Sequence, residues 1–517
     1  MADDTPRKWQ SKGFIPFRLE VLTPVHIGSG TTLSPLEYVI RREGKTCTLH
    51  RIDLQSWLME HASDESVQNI IAGGDISRIR RMLDEKVDAS ACSLSQSPVK
   101  DATLADELQK AFGGEQTGTS PRKDKTGDVA AALRNPLDQC LYIPGSSLKG
   151  AISTPLIDHL DKSPTLLKEA LQREGSRGVQ GRLTEMFGSI SNHAMQALKV
   201  SDVPAPFSAC AIFRSKEQSR TPGKKGTPKP PCEAVVPGCD GMWGRFMLDS
   251  AGTEPAITLP RGKKVTFPEL VRLCNNFYRT RFREEIDKFY ALPHFREVRA
   301  ALRDVEAVVT ALKDDAMLLR VGHYCHVECV TVKEHLPATK KGKNGHPLPS
   351  GTTRTLADGR LPFGWILLHF CSMEEYEEGM RQAEEKRRSF LAVQEKRRQA
   401  LRLAAEEKAA MAARVAREKE ERRLAAERKA AEERQKQEEL ARRMAELSPE
   451  EARLLKLETE PSEALSMEIF NEMKTWPPEL QHRVALALQT YWSSLGKWEG
   501  RQSKKQEAKI KAVKALL

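Results

Sequence analysis

Residues 142–150 read Tyr142-Ile143-Pro144-Gly145-Ser146-Ser147-Leu148-Lys149-Gly150. A short β-prone run stops at Pro144, Gly145 allows a tight turn, and two serines stand where a helix would begin. The backbone N–H groups of such a first turn lack partners within the helix, so they suit a bound phosphate, with Lys149 beside them. A nucleotide P-loop is excluded because its G-x-x-x-x-G-K-[ST] spacing is missing. A plain strand-to-helix turn with a serine cap is the alternative.

A second glycine-rich phrase lies near the start of the chain and reads Thr23-Pro24-Val25-His26-Ile27-Gly28-Ser29-Gly30. It follows a segment in which Phe17, Leu19 and Val21 alternate with other residues, a pattern typical of a half-buried strand. His26 stands at the end of this strand and is a candidate general base for RNA cleavage. Cleavage by acid–base chemistry needs a second titratable group, which the sequence does not identify. A histidine packed or hydrogen-bonded beside the loop is the alternative.

Residues 143–151 resemble the glycine-rich phrase of the RAMP superfamily, the RNA-binding proteins of CRISPR systems, and residues 22–30 are similar to its first strand and loop. Further motifs follow the order of one branch, the Csm subunit five type of type III-A effector complexes. They are Leu33-Ser34-Pro35-Leu36-Glu37-Tyr38-Val39, Val200-Ser201-Asp202, Leu319-Arg320-Val321-Gly322, Thr353-Arg354 and Pro362-Phe363-Gly364-Trp365. Their joint order, across residues 14 to 370, is more specific than any one motif.

The resemblance implies an α+β fold: tandem ferredoxin-like (RRM-like, RAMP) domains, then a long charged α-helix and a small helical C-terminal module. It implies a non-catalytic subunit without cofactor or metal, which binds CRISPR RNA, caps the backbone at the guide 3′ end and supports guide maturation and antiviral defence. The implied partners are CRISPR RNA, the backbone RAMP subunit of the Csm complex and host nucleases that trim the guide. The implied RNA-binding residues are Gly28, Ser29, Gly30, Gly145, Ser146, Ser147, Lys149, Gly150, Arg320 and Arg354.

Two other functions stay open from the sequence. One is a RAMP endoribonuclease that processes precursor CRISPR RNA with His26 as the base. The other is a scaffold protein that acts through its charged helix. Backbone RAMP subunits that cut target RNA resemble one another in a loop aspartate, and Asp124 and Asp128 lie in a polar segment here. Because no motif marks either aspartate, we assign no catalysis to them.

The net charge of +11 and the pI near 9.1 invite a nucleic-acid interpretation. Residues 380–448 hold 20 Lys and Arg against 14 Asp and Glu, so they carry +6 of that charge and the rest is only mildly basic. Local clusters of basic residues are therefore more informative than the pI. These clusters are either solvated surface loops or loops that follow an RNA backbone. The clusters are Lys216, Arg220, Lys224, Lys225 and Lys229; Arg261, Lys263 and Lys264; and Lys333, Lys340, Lys341 and Lys343.

Possible metal ligands crowd one short segment, predicted to be extended, that contains His323, Cys325, His326 and Cys329. Tetrahedral zinc needs ligands that converge, so we predict no metal unless the fold brings Cys232 and Cys239 close. The ten cysteines are scattered, which indicates reduced thiols. The polar start lacks the apolar core of a signal peptide, and no run approaches the ~20 apolar residues of a membrane helix. We therefore expect a soluble, cytoplasmic protein.

The chain divides by composition into a flexible start (1–12), a RAMP body (13–372) of two ferredoxin-like units with a loop-rich insertion at about 87–130, a charged helix (373–448) and a helical module (449–517). Thr266 and Glu269 predict a capping box for a helix that runs to about Leu292. Pro155 should kink or shorten the helix after Gly145. The charged helix lacks a sustained apolar seam, so a solvated helix or partial disorder is favoured over a strong coiled coil.

Overall fold

The computed structural model describes residues 14–111, 127–161, 166–248, 255–332, 351–500 and 502–517. The chain forms two compact units, Met1–Leu403 and Ala404–Leu517. Several predicted features lie outside the described residues: the flexible start 1–12, part of the insertion including Asp124, and the loop with Lys333, Lys340, Lys341 and Lys343.

The first sheet has five strands, which are β1 (Phe14–Val21), β8 (Leu198–Val200), β13 (Trp243–Leu248), β16 (Ala316–Arg320) and β19 (Trp365–Phe370). Their spatial order is β16-β19-β1-β13-β8, and every neighbouring pair is antiparallel. The last four strands of this order reproduce the 4-1-3-2 arrangement of a ferredoxin-like βαββαβ unit, and β16 extends its edge. Alternate residues of β1, such as Phe17 and Leu19, are buried in the main core, as the predicted period of two requires.

Two helices, α6 (Gly145–Leu160) and α8 (Phe267–Glu285), pack on this sheet and on each other. The predicted capping box of α8 is confirmed, because Thr266 and Glu269 exchange side-chain and backbone hydrogen bonds. The expectation that Pro155 shortens α6 is wrong, since the helix continues to Leu160. Proline leaves the carbonyl four residues before it without its helical donor. The Tyr278 hydroxyl donates to that carbonyl, Ala151 O, at 2.8 Å.

The second sheet is built from segments between β1 and β13. Its strands are β2 (Gly28–Leu33), β3 (Tyr38–Glu43), β4 (Thr46–Ile52), β5 (Ser93–Val99), β6 (Val129–Ala132), β10 (Cys210–Phe213) and β12 (Cys232–Val235). Their order, β2-β6-β12-β10-β5-β4-β3, mixes parallel and antiparallel pairs. The glycine-rich phrase before Leu33 is thus an edge strand, where we expected a loop, and the predicted insertion supplies β5 and β6.

Smaller elements complete the first unit. Three further sheets pair β7 (Tyr142–Ile143) with β9 (Val203–Pro204), β14 (Ala256–Thr258) with β15 (Lys264–Thr266), and β11 (Ser215–Ser219) with β17 (Thr353–Ala357) and β18 (Leu361–Pro362). The strand β11 lies in a segment that we expected to be a loop. The remaining helices are α1 (Leu54–Glu60), α2 (Glu65–Ala72), α3 (Ile76–Lys86), α4 (Ala89–Cys92), α5 (Ala102–Lys110), α7 (Leu166–Phe187), α9 (Arg296–Ala301), α10 (Arg303–Ala311) and α11 (Val327–Val330).

The charged segment forms one helix, α12 (Met373–Ala445). Its first turns pack on the first unit, where Phe390 stacks on Phe207 with ring centroids 3.9 Å apart and Arg387 pairs with Asp138.

The second unit contains α13 (Pro449–Thr459), α14 (Glu463–Glu472), α15 (Pro478–Ser494) and α16 (Lys504–Lys514), which share a core with three tryptophans. The predicted α+β class with a ferredoxin-like sheet, a long charged helix and a helical module is confirmed. The division of 13–372 into two ferredoxin-like units stays a prediction.

The packing of α12 on the first sheet makes a testable prediction at Gly379. An added Cβ there would collide with the indole of Trp243. Glycine-to-alanine changes inside helices normally stabilise by up to about 1 kcal/mol, but overpacking costs about 1–3 kcal/mol. We expect Gly379→Ala to lower the thermal midpoint in calorimetry. The matched control is Gly181→Ala in α7, where the new Cβ meets no atom within 4 Å and the midpoint should rise or stay constant. A stabilised Gly379→Ala protein would show that this contact does not form.

Candidate nucleic-acid interface

A cleft of about 900 Å³ lies where the glycine-rich phrases of the sequence meet. Gly28 and Gly30 come from β2, Ser147 and Gly150 come from α6, and Gly322 comes from the loop after β16. These residues are far apart in sequence and line one surface only because the two sheets share an edge region. The rest of the lining includes His26, Thr31, Ala151, Thr154, Lys229, Pro230, His323 and Tyr324.

One wall of the cleft is a helix face made of small residues. Ser147, Gly150, Ala151 and Thr154 lie three, four and seven positions apart, so they share a face of α6. An added Cβ on Gly150 would meet no atom within 4 Å, so this face is open. A wall without long side chains lets a chain of sugars and phosphates approach the helix closely.

Gly145 has a structural role that differs from the predicted one. A Cβ at this position would collide with the carbonyl of Val200, so glycine is needed where α6 begins against β8. The Gly145 N–H donates to Asp202 Oδ1 at 2.8 Å, and the Ser147 N–H donates to Pro144 O at 2.9 Å. These two amides are therefore engaged within the protein. The prediction that they hold a phosphate is corrected, because Asp202 already supplies the anion at the Gly145 amide.

The other predicted residues of the phrase at 142–150, Ser146 and Lys149, lie outside the cleft lining. Ser146 is exposed on the first turn of α6, and Lys149 is half-buried. Partial burial and the nearby charge of Lys199 lower the pKa of Lys149 from its usual value. In the phrase at 23–30, Ser29 lies between the two cleft glycines, and its hydroxyl donates to Ala131 O at 3.1 Å.

The loop after β16 is hydrogen-bonded to the segment that connects β1 to β2. The His323 N–H donates to His26 O at 2.9 Å. Gly322 has φ +98°, and an added Cβ would lie 2.6 Å from the same carbonyl oxygen. Glycine is therefore required by both its backbone conformation and the close approach.

His26 and His323 face the cleft together. His26 Nδ1 lies 2.6 Å from Glu233 O, and because a carbonyl can only accept, Nδ1 carries the proton and neutral His26 keeps a lone pair on Nε2. Burial lowers the pKa of His26, and the hydrogen bond to Glu233 offsets this only in part. The exposed His323 ring lies 6.0 Å from the His26 ring between centroids, and Tyr324 stacks on His26 at 5.8 Å.

Arg320 and Arg354 are structural, which corrects their predicted role in RNA binding. Their side chains are only 1% and 4% exposed, and both guanidinium groups bind the buried carboxylate of Glu285, at 2.9 and 2.7 Å. Arg354 also pairs with Glu328 at 3.1 Å, and the Tyr290 hydroxyl donates to Glu285 at 3.2 Å. Both guanidinium groups are engaged in this ion-pair cluster, and Arg320 is also one of the residues that line the cleft.

Of the basic loop clusters, the cleft includes Lys229. Its ammonium donates to Thr355 Oγ1 at 2.9 Å and lies 5.1 Å from the centre of the Tyr324 ring. Lys216 belongs to β11, and Arg261, Lys263 and Lys264 belong to or flank β15. These other cations do not line the cleft.

The suspected zinc ligands do not converge. Cys325 and Cys329 are buried, and burial raises the pKa of both thiols. The Ser215 hydroxyl donates to Cys232 Sγ, and Cys239 contacts Met242; Cys232 packs near Tyr324 but, among the described residues, joins no group of metal ligands. Across the described ranges, no group of three or more His, Cys, Asp or Glu side chains is placed to hold a metal ion. The segment is also not extended as expected, since α11 begins at Val327. Asp128 precedes β6 and does not line the cleft.

Sequence reasoning missed three important positions. The partner of His26 is His323, which was considered only as a metal ligand. Thr154 extends the small-residue face of α6 by one turn, a spacing that could have been read from the sequence. Glu285 stands between Phe282 and Phe289 on the apolar face of α8, and a carboxylate at such a position signals a buried partner.

The fold and the cleft define a protein built on an RRM-like, ferredoxin-type sheet with a glycine-lined groove at the end of its first strand. The chain belongs to the RAMP superfamily, whose family model matches residues 18–308. This confirms the family that the glycine-rich phrases indicated.

Two solved structures are similar to the chain. One belongs to a cryo-EM structure of a Csm–crRNA–target RNA ternary complex of a type III-A CRISPR-Cas system; it is 19% identical, with 69% of this chain and 100% of that chain covered and a TM-score of 0.48. The other is the crystal structure of T. onnurineus Csm5, 16% identical, with 68% and 99% covered and a TM-score of 0.43. A comparison with curated proteins gave no significant match. Within the described ranges, no helix is long and apolar enough to cross a membrane.

The Glu285 cluster predicts a pH-dependent loss of stability. Burial alone would raise the pKa of Glu285, but Arg320 and Arg354 lower it below the ordinary 4.5. The stabilisation is therefore complete above pH 4.5 and is lost as the pH falls through the lower folded-state value. Glu285→Gln leaves the buried guanidinium of Arg320 without a carboxylate partner and Arg354 with Glu328 alone, and should cost about 3–5 kcal/mol at pH 7. The difference in the free energy of unfolding between this variant and the wild type should become smaller as the pH falls. Denaturant unfolding between pH 3 and pH 8 measures this difference.

The control for this experiment is Glu284→Gln, the preceding residue of the same helix. Glu284 makes a partly exposed pair with Lys288 at 3.2 Å, and such helical pairs are worth about 0.2–0.5 kcal/mol. Equal effects of the two substitutions would contradict the central role given to Glu285.

Proposed function

We propose that the protein is a non-catalytic, CRISPR RNA-binding subunit of a type III-A Csm interference complex. Membership of the RAMP superfamily supports RNA binding, and the order of the motifs from Leu33 to Trp365 supports the Csm branch. The observation that carries the proposal is the meeting of three glycine-bearing segments, at Gly28, Gly150 and Gly322, on one open cleft.

The cleft suits RNA of any sequence. Its small-residue wall allows close contact with the sugar–phosphate chain, and Lys229, which lies 4.0 Å from Glu217, adds an ammonium group to the lining. The exposed ring of His323 is placed to stack with a base, which is sequence-tolerant because every base has a flat face. Phosphate contacts are also blind to sequence and weaken as salt rises. A subunit that must accept many different guides needs this kind of recognition.

RNA binding can be tested at Gly150. Glutamate fits this open position and is a better helix former than glycine, so Gly150→Glu adds a negative charge to the cleft without a clash. We expect at least a roughly ten-fold loss of affinity for single-stranded RNA at low salt, measured by fluorescence anisotropy. Gly181→Glu in α7 is the matched control, because it makes the same change at an exposed, open helical glycine outside the cleft. Equal affinities for the two variants would refute this site.

The place in the complex is a separate part of the proposal. By family resemblance, the subunit works in the cytoplasm, caps the backbone at the guide 3′ end, contacts the backbone RAMP subunit and helps recruit nucleases that trim the guide. Purification from the native host followed by RNA sequencing should recover repeat-flanked guides in a multi-subunit particle. Heterogeneous 3′ ends after deletion of the gene would support the maturation role, and unchanged 3′ ends would count against it. A scaffold role through α12 stays a prediction.

The pairing of His26 with His323 favours one second candidate, a metal-independent endoribonuclease acting on precursor CRISPR RNA. His26 Nε2 would take the proton of a ribose 2′-hydroxyl, whose oxygen then attacks the adjacent phosphorus. The P–O5′ bond breaks, and His323 would donate a proton to the leaving 5′-oxygen. The products are a 2′,3′-cyclic phosphate and a 5′-hydroxyl.

Mutation of the exposed histidine separates the two candidates. His323→Ala should leave the fold intact, since its ring is on the surface, whereas His26 is buried. If the protein is a nuclease, His323→Ala and a substrate with a 2′-deoxy sugar at the cleavage site should each lower cleavage about 10²–10⁴-fold, with RNA binding retained. If it is non-catalytic, as we propose first, the purified wild-type protein leaves both substrates uncut.

A further inference from the structure

The four-helix module of the second unit distributes its charges unevenly. Basic side chains on the earlier helices have acidic partners: Arg453 pairs with Glu472 at 2.6 Å, and Arg483 with Glu458 at 3.4 Å. Lys497, just after α15, pairs with Glu463 at 2.7 Å. These pairs neutralise much of the α13–α15 surface.

The last helix differs. Four lysines of α16 are exposed, and in the part of the module that the structure describes none of them has a carboxylate within ion-pair distance. They are Lys504, Lys505, Lys511 and Lys514. The fifth, Lys509, is half-buried and lies over the Phe470 ring at 5.9 Å, and the exposed Lys514 lies over the Trp498 ring at 5.7 Å. The helix contains one acidic residue, Glu507, so its surface is strongly positive.

Two of these lysines stand where local stability disfavours them. Ser503 caps the helix, so Lys504 and Lys505 occupy its first turn, where the helix dipole favours acidic side chains. The same turn also holds Glu507, but among the described residues of the module neither lysine is within ion-pair distance of a carboxylate. Lysines placed against the local preference point to a role outside the folding of the module. An anion bound here would be favoured by both the ammonium groups and the dipole.

The surface between the lysines fits a phosphate chain better than a protein. Lys504, Ala508, Lys511 and Ala515 follow one another along the exposed face, while Ile510 and Val513 on the opposite face are buried in the module core. The exposed face therefore carries no aromatic or large apolar anchor, which protein interfaces need at their centre. Attraction through counterion release needs only spaced cations.

We propose that α16 is a second RNA-binding surface, which holds the phosphate backbone of single-stranded RNA independently of the cleft. Two sites on one chain raise the overall affinity, because the second contact forms at a high effective concentration once the first is made. The α16 site does not depend on the function proposed for the cleft.

The test uses the full chain and a 30-nucleotide polyuridine RNA. Lys504→Glu with Lys511→Glu removes two α16 cations, and Lys456→Glu with Lys474→Glu makes the same charge change at exposed lysines elsewhere in the module. We expect the α16 variant to bind about ten-fold more weakly at 100 mM salt and to lose about 1.4 from the slope of log affinity against log salt. The control should stay within about two-fold of wild type.

Thermal melts must show that both variants fold. If the α16 variant and the control bind RNA with equal affinities and equal salt slopes, the inference is wrong. It is also wrong if the α16 variant keeps its RNA affinity and loses only the binding of an acidic protein. If the α16 variant loses RNA binding and Gly150→Glu has no effect, α16 is an RNA-binding site and the cleft is not. If Gly150→Glu loses RNA binding and the α16 variant does not, the cleft is the site and the α16 inference is wrong.

Discussion

Glu285 is buried between two guanidinium groups, and the geometry of the cleft depends on this arrangement. Its carboxylate joins the end of α8 to Arg320 on β16 and to Arg354 on β17. Arg354 extends the cluster to Glu328 in α11, so the loop after β16 is held between two charged contacts. Buried charges are tolerated only when they are paired and hydrogen-bonded, and here two acids balance two bases. The loop that carries Gly322 and His323 is therefore fixed at both ends.

A fixed loop is what brings the two glycine-rich phrases into one surface. Gly322 lies against the carbonyl of His26, in the segment between β1 and β2, and the His26 ring is hydrogen-bonded to the Glu233 carbonyl on β12. The first sheet and the second sheet are thus joined at the floor of the cleft. The small residues of α6 form the remaining wall. The lining of the cleft combines small residues with Lys229, Arg320 and the exposed ring of His323.

Local sequence patterns predicted most of the first sheet and its helices. Period-two alternation marked β1, the Thr266 capping box marked α8, and the change from Ile143 to Gly145 marked the start of α6, since these features depend on neighbours within a few residues. The patterns failed where distant partners decide the outcome. Pro155 stays within α6 because Tyr278 satisfies the freed carbonyl, and Arg320 is buried because Glu285 lies across from it. Gly145 is required by the approach of β8, which no local pattern reveals.

The amino-acid sequence by itself indicated the family through the order of its motifs, and the family resemblance in turn implied the ferredoxin-like class. It also predicted the charged helix and five residues that line the cleft, Gly28, Gly30, Ser147, Gly150 and Arg320. Short motifs can place turns and helix starts because these are local properties of the backbone. Only the tertiary structure decided which of the motif residues face the cleft and which of them form buried ion pairs. It also placed His323 beside His26. These outcomes follow from contacts across hundreds of residues, where burial and charge pairing, not local preference, set the lowest free energy.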